Sequence, residues 1–175
     1  MQIDFTENIY ERLTLDFCDT GLSTELLAHI SHLPLPQAAF TAPRRRKLEA
    51  SGIRLWNLAT SVKNEIHNAA GGKPDTSALQ VFSYFLLDSA HHSGPGTNAN
   101  EIRLLRTALK TARCCLDEAH DDLCTKVLER AAYYEDSLIK EEDMTFEEKT
   151  LVARLRVDYY ATRATLVCDG PTVLF

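Results

Sequence analysis

Between Asn98 and Tyr134 the apolar residues recur at helical spacing. Ile102, Leu105, Leu109, Ala112 and Leu116 fall on one face of a first helix. A polar break follows from Glu118 to Asp122. Leu123, Val127, Ala131 and Leu138 then share a face of a second helix. Two helices joined by so short a break fold back on each other as an antiparallel hairpin.

The same period runs through most of the chain. Phe5, Ile9, Leu13 and Phe17 predict a short amphipathic helix, which Asp19-Thr20-Gly21 interrupts. Leu22, Leu26, Ile30 and Leu33 predict a second, stopped by Pro34 and Pro36. Leu35 to Pro43 reads as a proline-rich linker. Leu48, Leu55, Ala59, Val62 and Ile66 mark a third helix to about Asn68, with Trp56 as a packing anchor and Gly71, Gly72 and Pro74 beyond it. From Leu79 to Leu87 the chain is apolar almost without interruption. A buried strand of that length is possible, but the neighbouring periods favour a helix covered on nearly every side. His91 to Asn98 reads as a loop. Thr145 and Glu148 stand at capping-box spacing before a last helix with Leu151, Leu155, Tyr159 and Leu166 on its stripe.

Small residues mark the seam of the central hairpin. Ala112, Cys115, Cys124, Leu128 and Ala131 match the packing positions of a tetratricopeptide (TPR) hairpin, where small side chains let two backbones approach. The expected fold is all-α: antiparallel helical hairpins stacked as a TPR-like right-handed solenoid segment. Residues 1–43 form an N-terminal hairpin and linker, 44–166 the repeats, and 167–175 an aperiodic tail. The C-terminus carries no polar cap, so the array reads as cut short. In that case Leu155, Tyr159 and Leu166 are expected to be exposed.

A chain of 175 residues can bury a sizeable core, and 45% hydrophobic with 25% charged residues is a globular composition. The net charge of −6 argues against a general nucleic-acid binder, though a local basic patch remains open. No apolar run reaches a membrane span, and no secretory signal is evident. Five cysteines without a Cys-x-x-Cys fit a reducing compartment.

Catalytic chemistry is sparse. His29 and His32 share a helix face at i, i+3, but no neighbouring ligand completes a metal set. Cys124 and His120, at i, i+4, could form a nucleophile pair, although Cys124 also sits at a small packing position. No phosphate loop, nucleophile elbow or nucleotide fingerprint occurs. No catalytic residue, metal or cofactor is therefore assigned.

Arg103, Arg106, Lys110 and Arg113 recur at three and four residues along one helix face. They suit a solvated face paired with Glu101, Asp117 and Glu129. The solvated face is the plainer reading; the functional one is a basic groove for an acidic or helical segment of a partner. Arg44 to Lys47 is either a nuclear-import signal or the solvated first turn of a helix.

Leu55-Trp56-Asn57, then FSYFLLDSA from Phe82, then IRLLRTALKTARCCLD from Ile102, then VLERAAYY from Val127, occur in an order that resembles a known family. They are similar to the N-terminal region of the fungal Zip-four or sporulation-twenty-two-like meiosis proteins, which are TPR solenoids. Tyr159, Tyr160 and Arg163 fit the start of that family's next block. The resemblance covers about Lys47 to Leu166, and the sequence after Arg163 departs from it. It implies a non-enzymatic scaffold on meiotic chromosomes in the nucleus, bound to other crossover-promoting proteins and involved in synaptonemal-complex assembly. A small-molecule substrate, a membrane and direct DNA binding are not expected. The alternatives are a helical-repeat interaction domain unrelated to meiosis, or a small helical enzyme using Cys124 and His120.

Overall fold

The computed structural model describes residues 20–35, 41–66, 76–92 and 97–169. Six helices and no strand occur among them. They are α1 (Thr20–Ile30), α2 (Ala42–Ile66), α3 (Ser77–His92), α4 (Asn98–Asp117), α5 (Asp121–Lys140) and α6 (Phe146–Asp169). The all-α expectation holds for these residues. The helix read from Phe5 to Phe17 lies outside them. The chain divides into two compact units, Met1–Pro95 and Gly96–Phe175, and the division falls between α3 and α4.

In the first unit, α3 packs against α2 and α1. From Thr76 to Ala90 every residue is buried except Leu87, which is half-buried. The apolar run is thus a covered helix and not a strand. Two of its buried serine hydroxyls are satisfied within the helix. Ser83 Oγ donates to the Leu79 carbonyl at 2.6 Å, and Ser89 Oγ donates to the Phe85 carbonyl at 2.7 Å. Ser89 Oγ also accepts from the Leu35 amide at 3.0 Å, tying the segment after α1 to α3. On α2 the stripe of Leu48, Leu55, Ala59 and Val62 is buried as its period predicts. Trp56 is only half-buried; its neighbour Leu55, at 1% exposure, occupies the core position.

Gly52 explains how α2 and α3 come so close. A Cβ there would stand 2.9 Å from Leu87 Cδ2 and 3.2 Å from the Ser83 carbonyl oxygen. A mid-helix glycine costs roughly 1 kcal/mol against alanine. Here that cost is offset by the approach it permits.

In the second unit, α4 and α5 pack most extensively, and α6 packs against both. The seam residues Ala112, Cys115, Cys124 and Ala131 are completely buried, and Leu128 is 4% exposed. Leu104, Ala108, Thr111 and Cys114 widen the buried arc of α4 beyond the stripe read from sequence. One helix touching two others needs such an arc. Both α4 and α5 are 20 residues long, so the pair exceeds the roughly 34-residue period of a TPR.

The turns are built from local rules. Thr97 caps α4 by accepting from the Asn100 amide, and Thr145 and Glu148 form the capping box of α6. The Thr145 amide and hydroxyl hold the Glu148 carboxyl below its ordinary range. Between α4 and α5 the chain closes a Schellman motif. The His120 amide donates to the Cys115 carbonyl at 2.8 Å, and the Ala119 amide to the Leu116 carbonyl at 3.1 Å. Ala119 takes the left-handed position with φ 58°, where glycine is the usual residue.

The last helix differs from expectation. Leu155 and Tyr159 are buried, at 5% and 3% exposure, and Leu166 is partly buried. The apolar residues that face outward are Phe146, Val157, Tyr160 and Val167. The expected stripe is covered by α4 and α5, and a second stripe lies on the far side of α6.

Two substitutions test the close approach at Gly52 and the left-handed backbone at Ala119. Gly52→Ala is expected to lower stability by about 1 kcal/mol, because overpacking outweighs the gain in helix propensity. A urea midpoint at or above wild type would refute the close approach. Ala119→Gly is expected to raise stability by about 0.5–1 kcal/mol, the strain relieved less the added unfolded-state entropy. A lower midpoint would mean that Ala119 does not hold the left-handed conformation.

Candidate interaction surface

The three and four spacing of Arg103, Arg106, Lys110 and Arg113 on a 20-residue helix gives one row about two turns and more in length. All four side chains are exposed, while the opposite arc of α4 is buried. Their surroundings divide the row. Arg113 Nη2 pairs with Asp158 Oδ1 of α6 at 2.8 Å, both side chains about half exposed. That pair contributes little net stability, being solvated. It does fix the C-terminal end of the row against α6. Arg106 and Lys110 make no ion pair among the described residues.

Next to Arg113 a shallow open cleft of about 320 Å³ lies between α4 and α6. Arg113, Leu116 and Asp117 form one wall, and Ala161, Thr162 and Thr165 the other. The row therefore runs from open surface into a groove with one charged wall and one wall of small residues. Nothing in the periodicity of α4 predicted the second wall, since it depends on how α6 docks.

A second polar node joins α5 to α6. Glu135 is 7% exposed, and its Oε1 accepts from Arg156 Nε at 2.7 Å and from the Tyr160 hydroxyl at 3.4 Å. The Glu135 carboxylate raises the Arg156 guanidinium above its already high range. Sequence did carry a signal for this node. Glu135 sits on the spacing of Leu128, Ala131 and Leu138, an acid where the period calls for a core residue.

The candidate nucleophile has the wrong surroundings. Cys124 is completely buried, and burial, with Asp121 adding to it, pushes its thiol up to about 11. At neutral pH it is a protonated packing residue. His120 precedes α5, and the contact between the two residues is the Cys124 amide donating to the His120 carbonyl at 3.0 Å. His29 ends α1 and meets Phe82 edge-on at 6.4 Å between ring centroids. His32 lies in the turn beyond α1 and not on its face. Among the described residues no three His, Cys, Asp or Glu side chains are placed to hold a metal. No described helix is long and apolar enough to cross a membrane. Arg44, Arg46 and Lys47 are exposed in the first turns of α2.

Compared with protein-family models, curated proteins and solved structures, the chain matches none.

Thiol labelling checks the reading of Cys124. In a Cys18→Ser background at pH 7.5, native protein is expected to react at exposed Cys168 well before Cys114, Cys115 or Cys124. Mass mapping that finds Cys124 modified as fast as Cys168 would restore it as a candidate nucleophile.

Proposed function

We propose that this chain is a non-enzymatic interaction scaffold, a TPR-like helical-repeat segment that binds an acidic or helical segment of a partner. The observation that carries the reading is the exposed row of Arg103, Arg106, Lys110 and Arg113, which leads into the groove between α4 and α6. Helical-repeat proteins receive extended segments on surfaces lined by successive helices. A row of cations speeds encounter with an acidic partner and weakens as salt rises. Support for the solenoid arrangement comes from three consecutive helices in which α6 touches both helices of the preceding hairpin. The longer helices make this a departure from the 34-residue repeat, so the likeness is one of stacking and not of period.

The meiotic part of the proposal rests on the resemblance of the blocks from Lys47 to Leu166. It places the protein in the nucleus on meiotic chromosomes, among crossover-promoting proteins that link recombination to synaptonemal-complex assembly. The exposed cations at the start of α2 are compatible with nuclear import.

One experiment addresses both parts. Tagged wild-type protein and the Arg106→Glu/Lys110→Glu variant are followed on chromosome spreads from meiotic and vegetative cells, and partners are recovered by crosslinking. Wild type is expected on meiotic chromosomes only. The variant is expected to bind recovered partners about tenfold more weakly at low salt while folding normally. Equal affinity for every recovered partner would remove the row from the proposal. Equal signal in both cell states would remove meiosis.

A further inference from the structure

Helix α6 has two apolar stripes, and the structure uses one. Val152, Leu155 and Tyr159 are buried against the rest of the unit. On the opposite side Phe146, Ala153, Tyr160 and Val167 repeat every seven residues, and all four are exposed. Thr150, Val157 and Ala164 form a second seven-residue series between them, also exposed. Alternate steps of four and three residues are the spacing of a coiled-coil seam. The large members are well exposed: Phe146 84%, Val157 70% and Val167 79%. The seam runs for roughly 30 Å, enough to receive a helix of about 20 residues. The small residues at 153 and 164 lie between the large ones, leaving holes for a partner's side chains.

Charge along the two edges of the seam selects the occupant. Lys149, Arg156 and Arg163 lie along one edge, and Glu147 and Arg154 along the other. Arg156 is neutralised by Glu135. Lys149 donates to the Glu142 carbonyl, and Arg163 donates to the Tyr159 hydroxyl and lies over its ring at 5.6 Å. Those acceptors are neutral, so both cations keep their charge for a partner. Arg154 is exposed, with no ion pair among the described residues.

A second copy of α6 meets this pattern badly. Antiparallel pairing sets Lys149, Arg156 and Arg163 against their own counterparts. Parallel pairing sets Lys149 against Arg154. Both arrangements bring cations together at the edges that govern partner choice.

We propose that the outward face of α6 is a docking site for an amphipathic helix of another protein, with an apolar seam flanked by Glu and Asp. The site stands apart from the cation row on α4 and does not depend on the meiotic reading. Helix-in-seam docking supplies affinity from Phe146, Val157 and Val167, and the edge cations supply orientation and selection.

Two synthetic 21-residue peptides serve as probes. Both carry Leu and Ile at the seam positions; one has Glu and the other Lys at the flanking positions. Fluorescence anisotropy reads their binding to the full chain, and sedimentation velocity reads self-association without peptide. The Glu-flanked peptide is expected to bind at least tenfold more tightly than the Lys-flanked one. Val157→Asp is expected to weaken it at least tenfold with an unchanged melting curve, since Val157 is exposed. Lys149→Glu/Arg154→Glu is expected to reverse the preference, and Arg106→Glu/Lys110→Glu to leave it intact. Equal binding of the two peptides, or no binding of either, overturns the proposal. So does self-association that Val157→Asp abolishes, which would give the seam to a second copy.

Discussion

The close contact of α4 with α5 is the constraint on which residues 97–169 depend. Ala112, Cys115, Cys124 and Ala131 are small enough for the two helices to meet with all four completely buried. Larger residues there would separate the backbones and open the surface on which α6 rests. The contact is maintained by dispersion and by exclusion of water over a continuous apolar strip. Cys124 belongs to this strip, and the same burial that makes it a good packing residue keeps its thiol protonated. Its chemistry and its structural role are one fact seen twice.

The first unit solves the same problem by a different route. There α2 and α3 come together at Gly52, which lacks a side chain altogether, and α3 is covered so fully that even Asp88 is buried. Glycine weakens α2 locally, whereas the alanine and cysteine of the second unit weaken their helices little or modestly. The first unit therefore relies more on tertiary contact to keep its helix intact.

Local features were legible in the sequence, and relational ones were not. The helices at 98–117 and 121–140 followed from their period, and the Thr145–Glu148 box from its spacing, because each is decided within one or two turns of chain. Gly52 was passed over because its meaning lies in Leu87 and Ser83, more than thirty residues away. The last helix shows the limit most plainly. A sequence with two apolar stripes on opposite sides does not say which one a neighbour covers. Leu155 and Tyr159 were expected to be exposed on the premise of an incomplete array, yet α4 and α5 bury them and leave Phe146, Val157 and Val167 outside. For the candidate site, the alignment of the four cations was legible from residue spacing. The commitment of Arg113 to Asp158, and the groove it borders, arose only from the docking of α6.

Net charge illustrates the same distinction between a sum and an arrangement. The chain carries −6 overall, which alone would direct attention away from acidic partners. Several carboxylates of the second unit are nevertheless occupied by the fold itself. Glu135 is held by Arg156, Asp158 by Arg113, and Glu148 by the amide and hydroxyl of Thr145. Glu141, Glu142 and Asp143 are exposed at the link between α5 and α6, and Asp122, Glu129 and Asp136 are exposed on α5. The long outward faces of α4 and α6 carry Arg106, Lys110, Lys149, Arg154 and Arg163, with Glu147 at the start of α6 as an acid among them. At ordinary ionic strength a partner lying along one of these helices senses charge within about 8–10 Å, not the molecular total. An acidic protein can thus present basic helix faces, and it is those faces, with the apolar seam between two of their edges, that set which partners it can take.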